Sequence, residues 1–88
     1  MPDHMLTFEL NEDKDQLDIH GDEKGLRSLI QNLERLVTRT EDGHFNHEHL
    51  KSPEWGGDEL SSESQGGTVL NHVKIHCWKG SGESVGAA

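Results

Sequence analysis

Apolar and polar residues alternate twice near the start of the chain. Over residues 5–10, Leu6, Phe8 and Leu10 fall on one side and Thr7 and Glu9 on the other, the period of a half-buried strand. Residues 16–20 repeat the pattern, with Leu17 and Ile19 inward. The link between them, Asn11-Glu12-Asp13-Lys14-Asp15, is polar and rich in turn formers, so the two runs read as a hairpin. The period then changes. Leu26, Leu29, Ile30, Leu33, Leu36 and Val37 recur at steps of three and four, the stripe of an amphipathic helix over residues 22–39. Asp22 suits the N-cap, because its carboxylate can accept an orphan amide of the first turn. Glu23 near the start and Arg35 and Arg39 near the end suit the helix dipole. Residues 44–50 give a short, polar third strand. Alternation returns over residues 68–78, with Val69, Val73, Ile75 and Cys77 on one face and Leu70, His72, Lys74, His76 and Trp78 on the other.

The order strand, strand, helix, strand, strand predicts one α+β domain over residues 1–78. Its simplest form is ββαββ, a four-stranded, mostly antiparallel sheet with one helix packed on one face. The other face is left to polar side chains. The expected core is Leu6, Phe8, Leu17, Ile19, Leu26, Leu29, Ile30, Leu33, Val73 and Ile75. Leu33→Ala is expected to cost about 2–5 kcal/mol there. Residues 53–67 read as a long loop, and such loops are often functional. Residues 79–88 read as a flexible tail rich in Gly, Ser and Ala.

Charge narrows the choice of partners. Asp and Glu number 17 against 8 Lys and Arg, a formal net charge of -9. That balance disfavours nucleic acid and anionic membranes and favours a basic protein. The single cysteine, Cys77, allows no disulfide within the chain, which fits a reducing cytosol. The first residues carry no basic stretch followed by an apolar run, and no apolar run reaches spanning length. The location expected from these features is cytoplasmic.

The chemistry gathers in two places. Ser52-Pro53-Glu54-Trp55-Gly56-Gly57-Asp58-Glu59-Leu60-Ser61 sets a large ring beside two glycines and three carboxylates. Trp is enriched at interface hot spots, so Glu54, Trp55, Asp58 and Glu59 form a candidate recognition loop. Trp55 serves there either as an anchor for a partner or as a cap folded back over the sheet edge. His72, Lys74, His76 and Trp78 on the open sheet face complete the candidate binding surface. The alternative is a small metal-binding or enzymatic domain. His47 and His49 share a strand face, as do His72 and His76, and paired strands would gather the four imidazoles as zinc ligands. No Cys pair accompanies them, so no metal or cofactor is expected. No nucleophile stands with a base, and Gly56-Gly57 and Gly66-Gly67 lack the Lys and helix start of a phosphate loop. The expectation is a protein that is not an enzyme.

Several stretches resemble one bacterial family. They are Leu6-Thr7-Phe8-Glu9-Leu10-Asn11-Glu12, Leu17-Asp18-Ile19-His20, and the helix with Gly25-Leu26, Leu29-Ile30 and Leu33-Glu34-Arg35-Leu36. His47-Glu48-His49-Leu50, Pro53-Glu54-Trp55-Gly56-Gly57-Asp58-Glu59-Leu60 and Leu70-Asn71-His72-Val73-Lys74-Ile75 follow. Together they look like immunity protein thirty-two of polymorphic toxin systems. The resemblance implies an α+β antidote that binds and neutralises a cognate toxin in the producing cell. It supplies no functional residues to carry over. The acidic charge of the chain favours a basic toxin, and its carboxylates could occupy a phosphate site if that toxin is a nuclease.

Overall fold

The computed structural model describes residues 3–80. Strands β1 (Leu6–Leu10) and β2 (Leu17–Gly21) form the expected hairpin. Helix α1 (Glu23–Arg39) follows, then β3 (Phe45–Lys51), a 3-10 turn at Pro53–Trp55, β4 (Thr68–Val69) and β5 (His72–Trp78). The architecture is α+β and antiparallel throughout, in the order ββαβββ, which is the expected ββαββ layout with its last run divided into β4 and β5. The single four-stranded sheet is replaced by two sheets, β2-β1-β4 and β3-β5. The cause lies in the last alternating run, which changes partner midway. Glu9 and Leu10 pair with Val69 and Thr68, and Leu70 N–H still donates to Phe8 O at 2.8 Å. One residue later Asn71 O accepts from Ser52 N–H at 2.9 Å, and β5 runs on beside β3. Asn71, which interrupts the apolar face, marks the switch.

A seam joins the two sheets. Leu60 N–H donates to Lys51 O and Ser61 N–H to Leu6 O, at 3.1 and 2.9 Å. The core sits at this seam. Leu6, Phe8, Leu50 and Leu60 are buried together, with Leu29, Leu70, Val73 and Ile75 packed against them.

The helix begins and ends as its sequence dictates. The Asp22 carboxylate accepts from Gly25 N–H at 2.7 Å, which lowers its pKa. At the far end Lys79 Nζ donates to Val37 O, and Arg39 donates to His47 O and the Glu48 carboxylate. These ties fix the rotation of α1. Gly25 packs on the Met5 carbonyl so closely that a Cβ would collide with it, a close approach that glycine permits. The line facing the sheets is therefore Gly25, Leu29, Asn32 and Leu36.

That rotation corrects the expected core. Leu6 and Phe8 are buried and Leu29, Val73 and Ile75 half-buried. Leu17, Ile19, Leu26, Ile30 and Leu33 are exposed, Leu33 at 38% and Ile30 at 52%. Their places are taken by Leu36, Leu50 and Leu60. The outward setting of Thr7 and Glu9 is corrected as well. Both are buried, because the loop after Leu60 folds back over that side of β1. The Gly/Ser/Ala-rich stretch lies outside the described residues from residue 81 onward. Lys79 N–H donates to His44 O, extending the β3–β5 ladder by one step.

Candidate functional site

The candidate site is the outer face of β3 and β5, away from α1. Antiparallel pairing sets Phe45 opposite Trp78, His47 opposite His76, His49 opposite Lys74 and Lys51 opposite His72. Alternation sends all eight side chains to one side. The inner side takes Asn46, Glu48 and Leu50 with Val73, Ile75 and the half-buried Cys77.

The rings on the outer face touch one another in a row. Phe45 stacks on Trp78 with centroids 4.8 Å apart. His47 lies 5.9 Å from His76 and edge-on to His49 at 4.9 Å. His49 stacks on His72, its diagonal neighbour, and Trp55 leans over His72 at 5.8 Å. Trp55, Trp78 and Phe45 remain 57%, 56% and 62% exposed. Trp55 therefore rests against the rim of the row with most of its ring in solvent.

One contact in the row carries chemistry. His49 Nδ1 and His72 Nε2 stand 2.7 Å apart. A bond between ring nitrogens needs a donor and a lone pair, so the two rings cannot both be protonated at those atoms while it persists. Desolvation, followed by the charges of His72, His47, Lys74 and Lys51, holds the His49 pKa below its ordinary value. The four imidazoles share the face, but as a line. Among the described residues no three His, Cys, Asp or Glu side chains converge as metal ligands.

The loop residues divide by what their carboxylates do. Glu54 accepts from the Ser62 hydroxyl at 2.6 Å, which lowers its pKa, and stays exposed. Asp58 is exposed. Glu59 is half-buried and accepts from Lys51 N–H at 3.0 Å. Its carboxylate thus holds the loop to the end of β3. The turn itself closes at Gly56, in the left-handed region at φ 81°, where glycine carries no Cβ penalty.

Of the residues expected on this surface, Trp55, His72, Lys74, His76 and Trp78 lie together. Phe45 and Lys51 belong to it as well, though neither is among the expected residues. The signal was available in the pairing. Once His47 faces His76, the antiparallel register fixes Phe45 against Trp78 and Lys51 against His72.

Fold and face together define a small α+β protein that presents a broad, ring-bearing sheet surface to solvent. The model of the family Immunity protein 32 matches residues 16–73, and the chain belongs to that family. The matched span contains β2, α1, β3 and the Trp55 loop and ends two residues into β5. No curated protein and no solved structure matches the chain. No helix among the described residues is long and apolar enough to cross a membrane.

Proposed function

We propose that this protein binds and neutralises a cognate protein toxin in the cytoplasm of the bacterium that makes both, without catalysing a reaction itself. The observation that carries the reading is the row of exposed rings from Trp55 through His72, His49 and His47 to His76, with the Phe45–Trp78 stack beyond it. Exposed rings of this size, rimmed by charge, are the usual anchors of an interface. Membership of an immunity family makes a toxin the natural partner.

The charges refine what the toxin presents. Glu54 and Asp58 offer carboxylates at one end of the row, where they fit a basic cleft. A nuclease toxin has such a cleft, built for phosphate. Lys51 and Lys74 lie on the ring face itself, so the toxin surface opposite them is neutral or acidic.

Trp55→Ala tests the proposal. The ring is mostly exposed, so the thermal midpoint should hold, while toxin affinity falls about thirtyfold or more, the equivalent of ~2 kcal/mol. Titration calorimetry against the toxin encoded next to this gene, with thermal unfolding alongside, reads both. Full affinity in the variant would remove the row from the interface.

A further inference from the structure

A second surface, separate from the ring face, is left open where α1 meets β2. Leu26, Ile30, Leu33 and Val37 run along α1, exposed at 43%, 52%, 38% and 51%. Beside them on β2 are Leu17 and Ile19, at 49% and 47%. These six side chains leave apolar surface on the order of 500 Å², near the top of what a monomer carries. With its polar margin, the patch approaches the ~800 Å² per partner of a standard interface. β2 is also the edge of its sheet, and an edge strand offers unpaired backbone groups to a neighbour.

The charges around this patch argue against a basic occupant. Helix α1 carries Lys24, Arg27, Arg35 and Arg39 against only Glu23 and Glu34. Half of the 8 basic residues of the chain lie here, with 2 of its 17 acids. A basic toxin is steered elsewhere, toward the acidic loop. A second copy presents the same helix, so its cations are offset only where an antiparallel approach brings Glu23 and Glu34 beside them.

The stripe is also complementary to itself. In an isologous contact, residue i meets j while j meets i. A two-fold axis passing between Ile30 and Leu33 of antiparallel helices sets Ile30 against the partner's Leu33 and Leu26 against the partner's Val37. Arg27, which pairs with Glu23 within its own helix at 2.9 Å, then lies beside the partner's Glu34, and the contact occurs twice. Residues 81–88 offer no comparable occupant, since Val85 is their one large apolar side chain.

We infer that α1 and β2 form a two-fold homodimer interface, with the apolar stripe of one copy packed against that of the other. Sedimentation velocity on the full chain, over a concentration series reaching about 100 μM, tests this. The expected species has twice the 9.8 kDa chain mass. Ile30→Glu places a charge at the centre of the contact and should raise the dissociation constant about thirtyfold or more. Ile30 is half-exposed in the single chain, so circular dichroism of that variant should show an intact fold. Arg27→Glu should weaken the dimer, and adding Glu34→Arg should restore it by reversing the pair. A parent chain that sediments as a monomer throughout overturns the inference, whether or not the stripe binds toxin. So does a dimer that Ile30→Glu leaves unchanged.

Discussion

Replacing Glu9 by Gln should remove about 3 kcal/mol of stability at neutral pH and almost none at pH 2. The Glu9 carboxylate is 1% exposed. Burial alone would raise its pKa, but its hydrogen bonds reverse the balance. One oxygen accepts from Gln65 N–H, Gly67 N–H and the Ser64 hydroxyl at 3.0, 2.9 and 3.2 Å. The other accepts from the Thr7 hydroxyl at 2.6 Å and shares the Gln65 amide. The pKa falls from 4.5 to about 2. A fall of that size, at about 1.4 kcal/mol per pKa unit, corresponds to roughly 3 kcal/mol. Domains of this length hold about 4–13 kcal/mol in all, so the loss is a large fraction of the whole.

The sign follows from the depressed folded-state pKa. The unfolded chain binds the proton more readily, so the contribution is complete above about 4.5 and is lost as pH falls toward about 2. Gln has the shape of the protonated acid. Parent and variant should therefore differ by about 3 kcal/mol at pH 7, by roughly half that at pH 3, and by under ~0.5 kcal/mol at pH 2. Urea unfolding followed by circular dichroism at each pH gives the difference directly. Other carboxylates with lowered pKa, such as Asp22 and Glu54, act equally on both proteins and cancel. Amide exchange at Gln65 and Gly67 should accelerate in the variant at pH 7. A gap that stays constant with pH, or none at pH 7, would refute the electrostatic account.

Three further outcomes test the packing and the binding surface. Leu36→Ala and Leu50→Ala should each cost about 2–5 kcal/mol, while Leu33→Ala costs about 1 kcal/mol or less in the monomer, read by thermal or urea unfolding. Asp58→Lys should slow toxin association at low salt and leave stability unchanged, whereas Glu59→Ala should destabilise the loop by freeing the Lys51 amide; stopped-flow and melting measurements separate the two. Acidification to well below the ordinary imidazole value of 6.5 should weaken toxin binding, because His49, whose pKa is lowered, then takes up a proton and the His49–His72 bond that orders the row is lost. His49→Gln should flatten that pH dependence, and an unchanged slope in calorimetry would remove His49 from the effect.

Elements written in local periodicity were legible in the sequence. The hairpin, α1 with its Asp22 cap and β5 with alternate residues outward all followed from spacing, and so did the imidazoles of β3 and β5 sharing a face. What escaped depends on contacts distant in the chain. The apolar stripe of α1 is broad, and its periodicity does not say which edge packs. That was decided by Gly25 against Met5 and by Arg39 and Lys79 at the other end. Glu9 reads as a solvent-facing residue on an alternating strand, yet its partners come 55 to 58 residues later. They lie in a loop with no periodic signal. Leu60, in the same loop, has no periodic neighbours to mark it as core and is fully buried. Trp55 was open to two readings, because neither its ring nor its flanking glycines say which way it turns.

The placement of charge lets the two surfaces operate together. The helix packs on the inner side of β3 and β5 and the ring row occupies the outer side, so a toxin on the rings leaves the stripe of α1 uncovered. Acid gathers in the turn after β1 and in the loop around Glu54 and Asp58, while α1 holds half of the basic residues. On the proposed reading, a basic toxin would be drawn to the same surface of each copy in a dimer. The expected complex contains two copies of this chain and two toxins, and its mass by light scattering should show that stoichiometry. Ile30→Glu should then halve the assembly to one of each while leaving the affinity for toxin intact. A parent complex holding one of each would mean that the toxin displaces the second copy, and the two surfaces would have to be treated as one.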